Sequence, residues 1–244
     1  MRKIIIGSLL CILSLGLLAI AQYSGAGGGG GSIGTPPYLV VSGLQYGPTF
    51  PIVQPPLTGW TTINSATFDT TNNYPYVSGP KASTTQIKGA ARTAPAAPWS
   101  AIMLVYGDWS GQQAASCGEC MVAFGVSDGT KYTTMMIGIT ATAYGQLATH
   151  WTNATSFGAN IQTNSGSSFL DLAAHNPVWL KVCDDGTTNI NFYWSIDGQH
   201  FKSYYSEGRL SFLASVANIF FGVYPNAGIV EAALLSYQTT GSCP

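Results

Sequence analysis

The sequence predicts an all-β domain, a two-sheet antiparallel β-sandwich, and three observations lead to this prediction. From residue 57 onward, segments rich in Val, Ile, Thr, Tyr and Phe alternate with Gly, Pro, Asn and Asp at intervals of about ten residues. No long stretch keeps a helical period. Charged residues make up only 8% of the 244 residues, against about 25% in an average soluble protein. Hydroxyl and amide side chains must therefore keep the surface soluble.

The first 56 residues are predicted to precede this domain. Residues 1–21 have Arg2 and Lys3, then an apolar run, then a small-x-small end at Ala21, which is typical of a cleaved signal peptide. A retained membrane anchor is the alternative, because the run approaches the roughly 17 residues that span a bilayer. Residues 22–56, rich in Gly and Pro, are predicted to form a flexible leader, so the β-sandwich is expected over residues 57–244.

The charge balance excludes two classes of partner. With nine basic and ten acidic residues, the chain has no electrostatic footprint for nucleic acid or anionic lipid. We expect a protein that is secreted or displayed at the extracellular surface, with no membrane insertion once the signal is removed.

The cysteines predict two disulfides. Loss of the signal would remove Cys11 and leave an even number in an exported chain, namely Cys117, Cys120, Cys183 and Cys243. Three pairings are open, and local closure of Cys117 on Cys120 would leave Cys183 to reach Cys243. A redox or zinc role for Cys-x-x-Cys is disfavoured, because no βαβ pattern surrounds the motif and the cysteine spacing is not that of a zinc site.

Individual elements follow from alternation and turn residues. Strands are predicted at residues 101–106, 121–127, 132–140, 178–183, 189–196, 201–205, 219–224 and 229–239. Turns with positive φ are predicted at Asp128-Gly129, Asp185-Gly186 and Asp197-Gly198. Short helical turns are expected at residues 168–174 and 210–217, where apolar residues cluster without alternation.

Residues 178–205 predict a three-stranded meander with two different faces. A loop centred on Gly186 would place Lys181 opposite Asn191, and a two-residue turn at Asp197-Gly198 would follow. One face is apolar core. The other face would carry Trp179, Lys181, Asn191, Tyr193, Lys202 and Tyr204, with Tyr204 opposite Asn191.

The same stretch resembles a known family. Pro-Val-Trp-Leu-Lys-Val at residues 177–182, Asp-Gly at 185–186 and Phe-Tyr-Trp-Ser-Ile-Asp-Gly-Gln-His-Phe at 192–201 are similar to the central meander of concanavalin A-like lectin/glucanase (LamG-like) jelly rolls. Residues 219–223 and 232–237 resemble the last strands of that fold. The resemblance implies a jelly roll of a superfamily in which many members bind glycans, some are structural and some are glycosidases.

Glycan binding is the function that the sequence favours. Sugars are recognised by aromatic faces together with amide and hydroxyl groups, and the predicted face offers Trp179, Tyr193 and Tyr204 beside Asn191 and Lys181. Trp109, among turn residues, is a second candidate. The alternative is that Trp179 and Tyr193 are a cross-strand packing pair, in a structural or protein-interaction sandwich of a cell-surface or phage virion assembly.

Catalysis is not predicted. The Glu-x-Asp-x-x-Glu strand of laminarinase-type relatives is absent, and Glu119, Glu207 and Glu231 are far apart in sequence. The three histidines lie in unrelated contexts, with no spacing for a metal. No cofactor is expected, although Asp108 or Asp128 could supply oxygen ligands to a structural calcium. Asn153-Ala154-Thr155 is a glycosylation sequon, a triplet that arises often by chance.

Overall fold

Fourteen strands form the regular structure of the part of the chain that can be described, and no helix occurs there. A computed structural model describes residues 52–79, 86–108, 119–140, 146–158, 164–173, 177–226 and 230–243. The strands are β1 (Thr61–Ile63), β2 (Thr67–Asp69), β3 (Tyr76–Gly79), β4 (Lys88–Thr93), β5 (Trp99–Asp108), β6 (Glu119–Ser127), β7 (Tyr132–Thr140), β8 (Gln146–Ala154), β9 (Asn164–Ala173), β10 (Val178–Asp184), β11 (Asn189–Ser195), β12 (Lys202–Gly208), β13 (Asn218–Asn226) and β14 (Val230–Thr240).

The strands form two antiparallel sheets of seven strands each, which confirms the predicted β-sandwich. Sheet A has the strand order β1-β4-β13-β6-β7-β8-β9, and sheet B has the order β12-β11-β10-β5-β14-β3-β2. Half of the neighbouring pairs in each sheet join strands that are not consecutive in sequence, as in β13 beside β4 and β14 beside β5. All fourteen strands belong to one compact unit, Tyr46–Pro244.

The main core lies between the two sheets and follows from alternation along the strands. Inward positions of β6 and β13 carry Phe124 and Phe221, and those of β5 and β11 carry Trp99 and Phe192, all of them fully buried. Burial of each such side chain stabilises the fold by about 1.5–3 kcal/mol. A second apolar cluster covers the outer face of sheet A, and a third lies on the outer face of sheet B.

All eight predicted strands are present, with ends that differ by a few residues, but both predicted helical turns are wrong. Residues 168–173 belong to β9, where pairing with β8 satisfies the backbone. Residues 210–217 form a turn, closed by the Ser211 N–H to the Gly208 carbonyl, followed by irregular chain. Strands β1 to β4, β8 and β9 were not predicted, because most are short or polar and lack strict alternation.

The meander has the predicted faces but a different register. Lys181 lies opposite Tyr193, not Asn191, because the first loop is centred on Thr187. The Asp185 carboxylate accepts the backbone N–H groups of Thr187, Thr188 and Asn189, which lengthens this loop. In β10 and β11 the sheet face of each residue survives, since the shift is an even number of residues. In β12 the prediction is wrong for Lys202, which lies opposite Trp194 and so leaves the predicted outer face.

The second connection of the meander is also longer than predicted. Trp194 pairs with Lys202, so residues 195–201 form a seven-residue loop in place of a two-residue turn. A β-bulge after Phe192 then displaces Tyr204, and Ser206 lies opposite Asn191. The turn glycines are nevertheless where the sequence predicts them, with φ of 98° at Gly129, 81° at Gly186 and 73° at Gly198.

A disulfide joins Cys183 of β10 to Cys243 near the C-terminus, with Cα atoms 5.4 Å apart. It closes a sequence separation of 60 residues and stabilises the fold by about 4 kcal/mol on the loop-entropy account. Cys120 is also disulfide-bonded. Its expected partner, Cys117, lies outside the described residues.

Order extends into the predicted leader. The Val53 N–H donates to the Ser236 hydroxyl at 2.9 Å, and the Tyr237 N–H donates to the Val53 carbonyl at 3.1 Å. The predicted signal peptide and residues 22–51 of the leader lie outside the described part of the chain. Within the described ranges, no helical segment has the length and apolar character that a membrane crossing requires.

Candidate functional site

The face predicted to bind glycans is the outer face of sheet B on β10 and β11, and a loop covers it. Trp179 and Lys181 are each only 7% exposed. Residues 195–201, called here the cap, fold back over β10, and Gly198 lies so close that a Cβ there would be 2.7 Å from the Trp179 ring. Phe201 packs on the same cluster. Trp179 therefore has the surroundings of a packing residue. This agrees with the alternative interpretation, in which Trp179 and Tyr193 pack against each other and do not bind a ligand.

Lys181 is held between aromatic rings beneath the cap. Its Nζ atom lies 5.2 Å from the centre of the Tyr193 ring and 5.5 Å from that of Phe201. Burial lowers the pKa of this amine. The ring faces attract the ammonium group, so they offset part of the cost of burying it.

The remaining predicted site residues are dispersed. Asn191 is half-buried, and its side-chain carbonyl accepts the Ser206 hydroxyl at 2.7 Å. Tyr193 contacts Lys181. Tyr204, displaced by the bulge, packs against the core between the sheets and is not beside Asn191. Trp109 lies outside the described residues.

A cleft of about 380 Å³ lies at one end of the outer face of sheet A. Three adjacent strands contribute one row of polar side chains to it, because Asn218 of β13 pairs with both Thr93 of β4 and Ser127 of β6. The next row, two residues along, carries Thr61 and Ala91. The cleft thus combines hydroxyl and amide groups on a floor of small side chains.

Phe157, from the segment after β8, forms an aromatic wall of the cleft. Its ring stacks on Tyr132 with centroids 4.6 Å apart and meets the edge of Phe220 at 5.0 Å. The Asn64 side-chain amide fixes this segment, since it donates to the carbonyls of Ile87 and Phe157. The wall is therefore preorganised by packing and hydrogen bonds.

The cleft is electrically neutral. Among the described residues of its lining, Arg92 is the one that is charged, and its guanidinium group lies 5.3 Å from the Trp60 ring and 5.2 Å from the Tyr237 ring. Both rings pack with the core between the sheets, so this positive charge is directed away from the outer face. The part of the lining that the structure describes contains no Asp or Glu.

Sequence reasoning missed this cleft. Its described residues come from five separate segments near strand ends, and most of them are ordinary polar or small residues. Only the pairing of β13 with β4 and β6 brings the polar row together. The available indication was the high content of Thr, Ser and Asn, which does not single out individual residues.

The described part of the chain has no metal site, because no three His, Cys, Asp or Glu side chains group there as metal ligands. Asp128, a candidate calcium ligand, uses its carboxylate to accept the N–H groups of Thr130, Lys131 and Ala214.

Ser195, Asp197 and His200 do not have the order of a catalytic triad. Asp197 contacts both Ser195 and His200, at 2.8 and 2.7 Å, so the carboxylate lies between the hydroxyl and the imidazole. A serine nucleophile needs the imidazole in that position.

The sequon is buried. Asn153 is 2% exposed, and its amide nitrogen donates to Glu207 at 2.7 Å while Thr133 contacts its carbonyl oxygen. These contacts join sheet A to sheet B. Asn153 is therefore a structural residue and is inaccessible to a glycosylating enzyme in the folded chain.

Comparison with known proteins gives the fold. No protein-family model and no curated protein matches the chain. A functionally unknown protein from Saccharomyces cerevisiae is 11% identical, with a TM-score of 0.53 over 77% of this chain and 99% of that chain. A legume lectin-like domain from Entamoeba histolytica is 6% identical, with a TM-score of 0.50 over 76% and 91%.

A further similar structure is the exoplasmic/lumenal domain of VIP36 in its Ca²⁺/Man-bound form, 9% identical, with a TM-score of 0.49 over 76% of this chain and 84% of that chain. At such low identity, structural likeness describes architecture. The chain has a lectin-like β-sandwich fold.

Proposed function

We propose that this protein is a non-catalytic carbohydrate-binding or adhesion module, of the concanavalin A-like superfamily, that binds a neutral glycan in the cleft of sheet A. The observation that carries the proposal is the polar row Thr93, Asn218 and Ser127 beside the Phe157 ring, in a cleft of about 380 Å³. A concave site with a few convergent polar groups is the usual form of a small-ligand site.

The chemistry of the lining suits a sugar. Hydroxyl and amide groups can both donate to and accept from sugar hydroxyls, and an aromatic ring offers an apolar surface to the C–H groups of a pyranose. A neutral lining favours an uncharged ligand, because a buried unpaired charge on the ligand would be costly. No carboxylate is among the described lining residues, which supports binding without hydrolysis, since most glycosidases use two carboxylates. The lectin-like fold is compatible with this use.

A glycan-array screen of the exported chain tests the proposal, with Thr93→Ala and Asn218→Ala as cleft variants. Each removes one polar partner and should weaken binding about tenfold, since a lost hydrogen bond is worth about 1–1.5 kcal/mol. Thr239→Ala, at an exposed threonine of sheet B, is the matched control and should leave affinity unchanged. Equal affinity of all three variants would refute the cleft as the site.

A second candidate function is a structural or protein-interaction sandwich in a surface or virion assembly. The burial of Trp179 and Lys181 under the cap favours it for that region, because aromatic residues expected to bind a ligand are used for packing. If no glycan on the array is retained by the folded protein, this candidate replaces the first.

We also propose that the protein acts outside the cytoplasm. The Cys183–Cys243 disulfide supports this, because such bonds persist in oxidising compartments, as does the signal-peptide pattern of residues 1–21. Mass spectrometry of the exported protein should give Gln22 as the first residue. An intact Met1 on membrane-associated protein would instead support a retained anchor.

A further inference from the structure

The outer face of sheet B has a second region, distant from the cap, in which carboxylates and tyrosines lie in adjacent rows. Glu231 of β14 is directly opposite Asp108 of β5 on one side and Ser78 of β3 on the other. These three side chains point outward, since their neighbours Val77, Val230 and Ala232 are buried in the core between the sheets. All three are half-buried.

The next row has a tyrosine on either side of a small residue. Ala233 of β14 is opposite Tyr106 of β5 and Tyr76 of β3. Both tyrosines are half-buried, whereas Ala233 is 8% exposed. The two tyrosine Cα atoms are thus separated by two strand spacings, about 9.6 Å, with only a methyl group between them. One sugar ring in van der Waals contact with an aromatic ring on each side needs about 8–9 Å.

The two rows are linked by hydrogen bonds. Burial, followed by a hydrogen bond to Glu231, raises the pKa of the Tyr76 hydroxyl well above its usual range. Tyr76 therefore stays protonated and donates to Glu231, which also accepts the Ser78 hydroxyl at 3.5 Å. Two like charges at directly opposite positions are unfavourable in a sheet.

We propose that this tyrosine–carboxylate patch, formed by Tyr76, Ser78, Tyr106, Asp108 and Glu231, is a second binding site, for a pyranose with neighbouring hydroxyl groups. A carboxylate accepts two hydrogen bonds side by side, which matches two adjacent sugar hydroxyls. Glu231 already takes its donors from hydroxyl groups. Tyr106 would supply the aromatic face for the C–H surface of the ring.

The patch is independent of the cleft. The cleft opens on the outer face of sheet A and the patch on the outer face of sheet B, so the two sites face away from each other. A chain with both sites could hold two glycan segments at once and so gain avidity for a polysaccharide. The two proposals can fail separately, because their residues do not overlap.

Amide NMR of the ¹⁵N-labelled full chain tests the patch, with the methyl glycosides of glucose, mannose and galactose as probes. We expect one of them to shift the amide signals of residues 231–234 in a saturable manner. Tyr106→Ala and Glu231→Gln should each weaken that titration at least tenfold, while the cleft variant Asn218→Ala should leave it unchanged. Unperturbed signals elsewhere in each spectrum establish that the variants are folded.

Four results would overturn the proposal. The first is no shift with any glycoside at saturating concentration. The second is a shift that survives both patch variants. The third is a shift at residues 231–234 produced by Ca²⁺ or by putrescine and not by the glycosides, which would make the patch a cation site. Loss of the titration in Asn218→Ala as well would assign all binding to the cleft.

Discussion

Two aromatic regions on the same face of sheet B have different surroundings. In the capped region, Trp179 and Lys181 are 7% exposed beneath residues 195–201. In the patch, Tyr76 and Tyr106 remain half-buried beside carboxylates. Both regions combine aromatic side chains from different strands with a polar partner. Strand alternation therefore decides which sheet face a residue occupies, but the fold of the connecting loop decides whether that residue can meet a ligand.

The largest expected contrast between the two regions is in stability. Trp179→Ala should destabilise the domain by about 3–5 kcal/mol, because it empties a packed site under the cap. Tyr106→Ala should cost only about 1 kcal/mol, as is typical of a substitution outside the core. Urea unfolding of both variants measures the difference. Similar losses would mean that the patch is as much a packing element as the capped region.

The cap itself can be tested at Gly198. Gly198→Ala places a Cβ 2.7 Å from the Trp179 ring at a φ of 73°, so it should cost about 1–2 kcal/mol in backbone strain and about 1–3 kcal/mol in overpacking. Gly129→Ala is the matched control, with a φ of 98° and no atom within 4 Å of the new Cβ. It should show the backbone cost alone.

The difference between these two alanine variants isolates the contact between cap and sheet. If Gly198→Ala costs no more than Gly129→Ala in urea unfolding, the cap does not press on Trp179 in solution. The capped region would then be accessible, and its residues would return as candidates for glycan binding.

Local patterns predicted the strands and their faces, because both depend on neighbours along the chain. Trp179, Lys181 and Tyr193 share a face as expected, since an even shift in register preserves the face. The register was wrong because the Asp185 carboxylate caps three N–H groups and lengthens its loop. Alternation carries no information on such capping.

The site was less predictable than the fold, because it depends on pairing between distant strands. Thr93, Ser127 and Asn218 form a row only once β13 lies between β4 and β6. Likewise, Asp108 and Glu231 are 123 positions apart in sequence, and only the pairing of β5 with β14 places them opposite each other. A search for two acids on one strand finds neither arrangement.

Lys181 gives a smaller effect that depends on pH. Burial lowers its pKa below the unfolded value of about 10.4, so the folded state is penalised wherever the unfolded amine is protonated. Lys181→Met keeps most of the packing and removes the penalty. The variant should therefore exceed the wild type in stability by the largest amount near pH 7. This gain should shrink as the pH rises towards the unfolded pKa of about 10.4, because the penalty vanishes once the amine is deprotonated in both the folded and the unfolded state.

Urea unfolding of both proteins at the two pH values measures this change, and the tyrosines common to both cancel in the difference. The matched control is Lys202→Met, at an exposed lysine whose Nζ lies 5.9 Å from the Trp194 ring. It should alter stability by no more than about 0.5 kcal/mol at neutral pH. A Lys181→Met variant less stable than the wild type near pH 7 would mean that the two ring contacts outweigh the cost of burying the ammonium group.

The smallest expected effect concerns how the cap is held together. The hydrogen bond from the His200 ring, followed by those from the His200 and Gln199 N–H groups and the Ser195 hydroxyl, lowers the pKa of Asp197. A depressed carboxylate pKa stabilises the folded state above the unfolded value of about 3.9, and this contribution is lost as the pH falls below it. Asp197→Asn should therefore be less stable than the wild type at neutral pH, and the stabilities of the two proteins should become equal in acid.

Exchange of the Trp179 indole N–H with solvent, followed by NMR, locates this effect in the cap. Asp197→Asn should accelerate it, because fewer bonds then hold residues 195–201 over the indole. Asp69→Asn is the matched control, since Asp69 is also a carboxylate whose pKa is lowered, in its case by hydrogen bonds with Thr71, but it is half-buried at the end of β2, away from the cap. If indole N–H exchange is accelerated equally in both variants, the change reflects a general loss of stability, and the Asp197 hydrogen bonds do not specifically hold the cap in place.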